Sequence, residues 1–168
     1  MAITMYSASV PRLAAALRNL DHILSKGEAH AIDRKIDPGV LLGSRLFPDM
    51  FPLVRQVQIA CDMAKGAAAR LAGIDVPRHE DTEQSFAELR GRVAKVLAFL
   101  ESVPAASIEG SEGRRIVVPQ RGGEVQFTGE QYLCGFVLPN VHFHITTAYN
   151  ILRHNGVELG KRDFIGNP

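Results

Sequence analysis

Asn140, His142, His144 and Thr147 follow Pro139 within one short stretch. Asn140 and His144 are four residues apart, the spacing that places two side chains on one face of a helix. Ala148 and Ile151 continue that face toward the core side. An imidazole in such a place has two readings: a ligand or acid–base group, or a core histidine satisfied by a side-chain partner. His142 shares its face with Thr146 and Tyr149 and has no second ligand type at four-residue spacing. His154 adjoins a helix C-terminus, where a positive charge suits the terminal carbonyls. His22, His30 and His79 have no organised neighbours and read as surface. Arg55, Gln56, Gln58 and Asp62 form a second polar group amid an apolar stripe, and Gln58 and Asp62 are four apart. Cys61 beside His144 would make an activated thiol. Its position on the apolar stripe argues for a buried, inert sulfur instead. The chain has no Gly-rich phosphate loop, no G-x-S-x-G and no cysteine pair at metal spacing.

Four helical segments have to position these groups. Val10, Leu13, Leu17, Leu20 and Leu24 make one apolar stripe, with Ser9 as N-cap, Pro11 in the first turn and Gly27 as a stop. Residues 29–49 read as a long connection, with a turn at Asp37-Pro38-Gly39 and with Val40, Leu41 and Leu42 pressed onto the core. A second helix starts near Pro48-Asp49-Met50. It buries Met50, Val54, Val57, Cys61, Ala64, Ala68 and Leu71 and closes at Gly73. Asp81 with Gln84 predicts the cap of a third helix. That helix buries Phe86, Leu89, Val93, Val96 and Leu100, turns Glu88, Arg90, Arg92, Lys95 and Glu101 to water, and ends at Pro104. Ile116-Val117-Val118 and Val125-Gln126-Phe127 flank Arg121-Gly122-Gly123, a short β-hairpin pattern. Thr128 with Gln131 caps a fourth helix that runs to about Asn155, with Gly156 in the left-handed position. Pro139 lies inside it, so a kink and a freed Gly135 carbonyl are expected there. The pattern specifies a single all-α domain over 1–168. It is a four-helix bundle with a long connection between helices 1 and 2 and a short β-hairpin between helices 3 and 4.

Composition excludes several classes. The 168 residues are 46% apolar and 22% charged, with a net charge of +1, so disorder is excluded. Lys and Arg number ten against eight Asp and Glu through Glu80, then nine against ten, so no basic field marks a nucleic-acid surface. No apolar run is long enough to span a bilayer. Met1-Ala-Ile-Thr-Met-Tyr carries no secretory pattern. Cys61 and Cys134 fit reduced thiols, and a cytoplasmic location is expected.

Several segments together resemble a known family: Pro48-Asp49-Met50-Phe51-Pro52-Leu53, Gln56-Val57-Gln58-Ile59-Ala60, Phe86-Ala87-Glu88-Leu89, Phe127-Thr128-Gly129 and Leu152-Arg153-His154-Asn155-Gly156-Val157. The resemblance covers essentially the whole chain. It is to an uncharacterised bacterial family placed among the DinB/YfiT-like metalloenzymes. It implies a DinB-like four-helix bundle, commonly a homodimer. In the wider superfamily a divalent metal is held by one histidine of the second helix and a His-x-x-x-His pair of the last helix. That pair falls on Asn140 and His144, counted back from Leu152-Arg153, and the helix-two ligand falls on Gln58. One of the three histidines therefore remains. Amide carbonyls are weak ligands for zinc or nickel.

The expected function is a small-ligand-binding protein with a degenerate metal site. Gln58, Asn140, His144 and Asp62 line its polar cleft, and no cofactor is expected. One alternative is a zinc- or nickel-dependent hydrolase or thiol transferase using His144 with Asn140 and Gln58. The other is a structural dimerisation module. Neither nucleic acid nor membrane is an expected partner.

Overall fold

The apolar stripes of the sequence become the inner faces of four long helices in the computed structural model, which describes residues 2–120 and 122–166. A short helix α1 (Met5–Ala8) is capped by Thr4 and leads into α2 (Val10–Arg34). Ser9 does not cap α2; its hydroxyl donates to the Met5 carbonyl at 2.6 Å. The predicted stop at Gly27 is also corrected, because α2 runs on to Arg34 and ends at Lys35 in the left-handed region (φ 55°). Gly27 is a packing glycine. A Cβ there would meet Leu152 and Phe86 at 3.1 Å, so the missing side chain lets two later helices approach α2 closely.

The following connection is shorter than predicted and contains α3 (Pro38–Gly43), whose N-cap Asp37 accepts from the Gly39 N–H at 2.8 Å. Leu41 and Leu42 are buried, but Val40 is exposed. The next helix, α4 (Leu53–Ala72), starts after Pro52 rather than at Met50 and closes at Gly73 (φ 72°). Its buried alanines, Ala60, Ala64, Ala67 and Ala68, leave room for neighbours. In α5 (Phe86–Ser102) the predicted stripe is fully buried, but the cap is Ser85. The Ser85 hydroxyl accepts from the Glu88 N–H, and the Glu88 carboxylate accepts from the Gln84 N–H. Asp81 and Gln84 therefore lie before the helix, and Asp81 pairs with Arg55 and Arg92 instead of capping.

After α6 (Ala105–Ile108) come β1 (Ile116–Gln120) and β2 (Gly123–Phe127), antiparallel with Ile116 opposite Phe127 and Val118 opposite Val125. Ile116 and Val118 point into the core, which is how a two-stranded sheet gains the support it lacks alone. Of the predicted turn, Arg121 lies outside the described residues, while Gly122 and Gly123 both take positive φ. Thr128 and Gln131 cap each other as expected.

The last helix passes through a π-helical segment (Gln131–Val137) before α7 (Leu138–His154). The Leu138 N–H bonds the Leu133 carbonyl, five residues back. This wider turn lies directly before Pro139, whose ring would crowd the carbonyl four residues back in an ordinary α-turn. Gly156 takes φ 90°, and α8 (Lys161–Ile165) folds back along α2. Asp163 ties it down by pairing with Lys26 and with His22, so His22 has a partner the sequence did not reveal. The long helices pack α4 on α7 and α5, and α2 on α5 and α7. No helix among the described residues is long and apolar enough to cross a membrane.

Candidate functional site

His144 sits on the buried face of α7, only 8% exposed, with Nδ1 2.7 Å from Gln56 Oε1 of α4. The Gln56 amide nitrogen donates to the Phe51 carbonyl at 3.0 Å, so its oxygen must face the ring. An amide oxygen only accepts, so Nδ1 carries the proton and Nε2 keeps its lone pair. Burial lowers the affinity of the ring for a second proton, and the positive charge of Arg55 lowers it further. His144 is thus a neutral imidazole of defined tautomer with one uncommitted nitrogen. Phe143 packs edge-on against it, 5.2 Å between ring centres, and stays exposed.

Asn140 lies one turn earlier, half-buried. Its amide donates to the Phe136 carbonyl at 2.7 Å, and Thr147 likewise donates to Phe143 at 2.8 Å. Both side chains fasten to their own helix.

Gln58 and Asp62 take a different direction. Two residues along a helix turn the side chain by about 200°, so Gln58 points away from the Gln56 side. Gln58 donates to Glu83 at 2.9 Å and accepts from Arg55 at 3.3 Å. Asp62 pairs with Arg92 at 2.9 Å and Lys65 at 3.0 Å. The structure therefore brings His144 to Gln56, where the sequence reading had placed Gln58. Gln56 stands three after Leu53 and four before Ala60, so it belongs to the buried stripe, and that spacing was the available signal.

Arg92 was read as solvated, and here too the structure corrects the sequence reading. It is 2% exposed and holds Asp62, Asp81 and Glu83 at 2.9–3.0 Å, together with the Glu80 carbonyl at 3.0 Å. It stands three after Leu89 and four before Val96, again at stripe spacing. Burial pushes the Glu83 carboxyl up. Hydrogen bonds from Gln58 and Arg92 outweigh this and hold it below its ordinary value. Cys61 is fully buried, and burial pushes its thiol up to about 12 against the opposing charge of Arg92. A thiol at that value does not supply a nucleophile at neutral pH. Cys134 is exposed.

These donors do not fit a zinc or nickel ion. His144 offers a single nitrogen, its other nitrogen is bonded to the Gln56 amide oxygen, and Asn140 on the same face could add only a neutral amide oxygen, a weak ligand for these metals. No group of three His, Cys, Asp or Glu side chains converges among the described residues. A zinc site takes three or four such ligands.

The fold and the site's helices have close counterparts. A crystal structure of a DinB family member protein from Shewanella denitrificans superposes with a TM-score of 0.87 at 45% identity, covering 97% of this chain and 92% of that one. Residues 5–165 match the model of a family described as a domain of unknown function, DUF1993, and the chain belongs to that family. No functionally curated protein matches the chain at a significant level.

One pH dependence follows from the His144 geometry. The folded ring's pKa lies below its ordinary 6.5. A lowered histidine pKa contributes stability that is present above the unfolded value and is lost as pH falls through the folded one. Urea midpoints should therefore drop as pH falls below about 6.5, and His144→Gln should flatten that slope. An unchanged slope in the variant would assign the pH dependence to other groups.

Proposed function

We propose that this protein is a DinB-like four-helix bundle that binds a small polar molecule through His144, at a position no longer equipped to hold a metal. The observation that supports this reading is the fixed tautomer. Two successive hydrogen bonds, the His144 Nδ1–H donating to Gln56 and the Gln56 amide donating to the Phe51 carbonyl, leave Nε2 as a bare acceptor. Nε2 is not among the buried unpartnered atoms, so this acceptor is open at the surface of the site and free to pair with a donor from outside. A ligand with a hydroxyl or N–H donor would complete the pair, with Phe143 offering an apolar flank. Asn140 lies on the same face one turn away. Gln58 supports the site indirectly through Arg55, which bonds it and lowers the His144 pKa, whereas Asp62 is turned to Arg92 and Lys65. The test is the ring's nitrogen spectrum during ligand and metal titrations.

The same reading takes the protein as a cytoplasmic homodimer. Two free cysteines suit a reducing compartment. Phe47, Phe51, Phe143 and Ile165 are exposed and supply apolar area for association. Light scattering at micromolar concentration is expected to give twice the 18.3 kDa chain mass; a monomer would refute the dimer.

A further inference from the structure

A cleft of about 460 Å³ opens between the irregular 74–85 connection and α5, lined by Arg78, His79, Glu83, Gly91, Arg92 and Lys95. Its size is that of a small-molecule site. We propose that it binds a small metabolite carrying an oxyanion, a carboxylate or a phosphate. This site is separate from the His144 reading and does not depend on it.

The back wall is rigid. Arg92 is clamped by three carboxylates and one carbonyl, which fixes the guanidinium without using its Nε–H. That Nε is buried and has no partner, and neither has the buried Nδ1 of His79. Burial, with the charges of Lys65 and Arg92, keeps His79 neutral, so its ring can present one N–H. Unpartnered buried polar atoms are uncommon in native proteins, and here two of them belong to residues lining one cleft.

The remaining groups set the chemistry of the ligand. Glu83 is fully engaged, one oxygen with Arg92 and the other with Gln58. Glu88 accepts from the Gln84 N–H. Arg78 and Lys95 take part in none of the ion pairs among the described residues, and Glu80 is the one lining carboxylate left without a partner. By formal charge the lining balances, with Arg78, Arg92 and Lys95 against Glu80, Glu83 and Glu88, so the choice of guest rests on what is unpaired: Arg78, Lys95 and the Arg92 Nε–H are donors without acceptors, and a guest bearing acceptor oxygens complements them. The Glu80 carboxylate then suits a hydroxyl or amine on the same molecule.

Gly91 adds an independent sign. It lies mid-helix and exposed in α5, where glycine is a poor helix former. No atom lies within 4 Å of where its Cβ would stand. Packing therefore does not require glycine at this position. Its absent side chain keeps the cleft floor open beside Lys95, one turn on along the same face.

The experiment titrates the full chain with inorganic phosphate and, separately, with succinate, at constant ionic strength, following amide shifts. At least one of the two should bind saturably, with a dissociation constant below about 10 mM; the stronger arm identifies the anion. Lys95→Glu should weaken binding at least tenfold. Gly91→Leu should abolish it while melting no lower than wild type, since leucine improves the helix. Lys161→Glu on α8 makes the same charge change and should leave binding within twofold. Failure of both anions to saturate would overturn the proposal, as would equal losses in the Lys95 and Lys161 variants or unchanged binding in Gly91→Leu.

Discussion

Arg92→Ala should destabilise the fold by about 3 kcal/mol, the lower end of what breaking a buried ion pair costs when its partners stay behind. The lower end applies because Asp62 and Asp81 keep more than a third of their side-chain surface in water, at 39% and 37%, while Glu83 keeps 11%. Without the guanidinium, Glu83 loses the bond that offsets its burial, and three carboxylates face one another across the gap. The loss should depend on pH in a defined direction. In the wild type the Glu83 pKa is held below its ordinary 4.5, so its contribution is present above that value and fades as pH falls through the folded one. The difference between wild type and variant is therefore largest at neutral pH and shrinks near pH 4. Urea unfolding at the two pH values measures it. A neutral-pH difference under about 1 kcal/mol would place Arg92 among ordinary surface arginines.

Gly129→Ala should cost a similar amount, about 3 kcal/mol, at the upper end of overpacking. A Cβ at Gly129 would stand on the Ser111 carbonyl oxygen, a backbone atom that cannot rotate away. The segment is held from both sides: the Glu130 N–H bonds the Glu112 carbonyl at 3.0 Å, and the Arg114 N–H bonds the Ser111 carbonyl at 3.0 Å. Relief would have to separate the hairpin's entry loop from the start of the last helix. Gly129 has no positive φ, so the effect comes from close approach rather than backbone strain. A melt within about 2 °C of wild type would show that the loop yields freely.

The two variants show what the sequence reveals and what it hides. Stripes at three- and four-residue spacing placed the four long helices because burial of aliphatic side chains is periodic and local. Leu13, Leu17, Val57, Leu89, Val93 and Ile151 are buried as their spacing requires. The Thr128–Gln131 cap was legible for the same reason, since both partners lie within one turn. Gly27 was not, because whether a glycine stops a helix or admits a neighbour depends on Phe86 and Leu152, distant in sequence. The cap at Ser85 was misplaced by four residues because Asp81 fits a capping pattern equally well but is drawn to Arg55 and Arg92. The burial of Arg92 and the role of Gln56 are hidden in the sequence for one shared reason. Polar residues at stripe spacing look like interruptions until a partner on another helix is known, and those partners, Asp62 and His144, come from distant segments. His144 itself was found because four-residue spacing to Asn140 and Ala148 fixes its face; its tautomer required Gln56 and Phe51.

The long-range proton–nitrogen spectrum of the His144 ring tests the central claim most directly. At neutral pH it should show a protonated Nδ1 and a bare Nε2. One equivalent of zinc should leave both nitrogens unchanged, and a small molecule with a hydroxyl or N–H donor should move Nε2 alone. Gln56→Ala should release the tautomer into a mixture. Zinc bound stoichiometrically through Nε2, or a ring protonated on Nε2 with Nδ1 bare, would contradict the account.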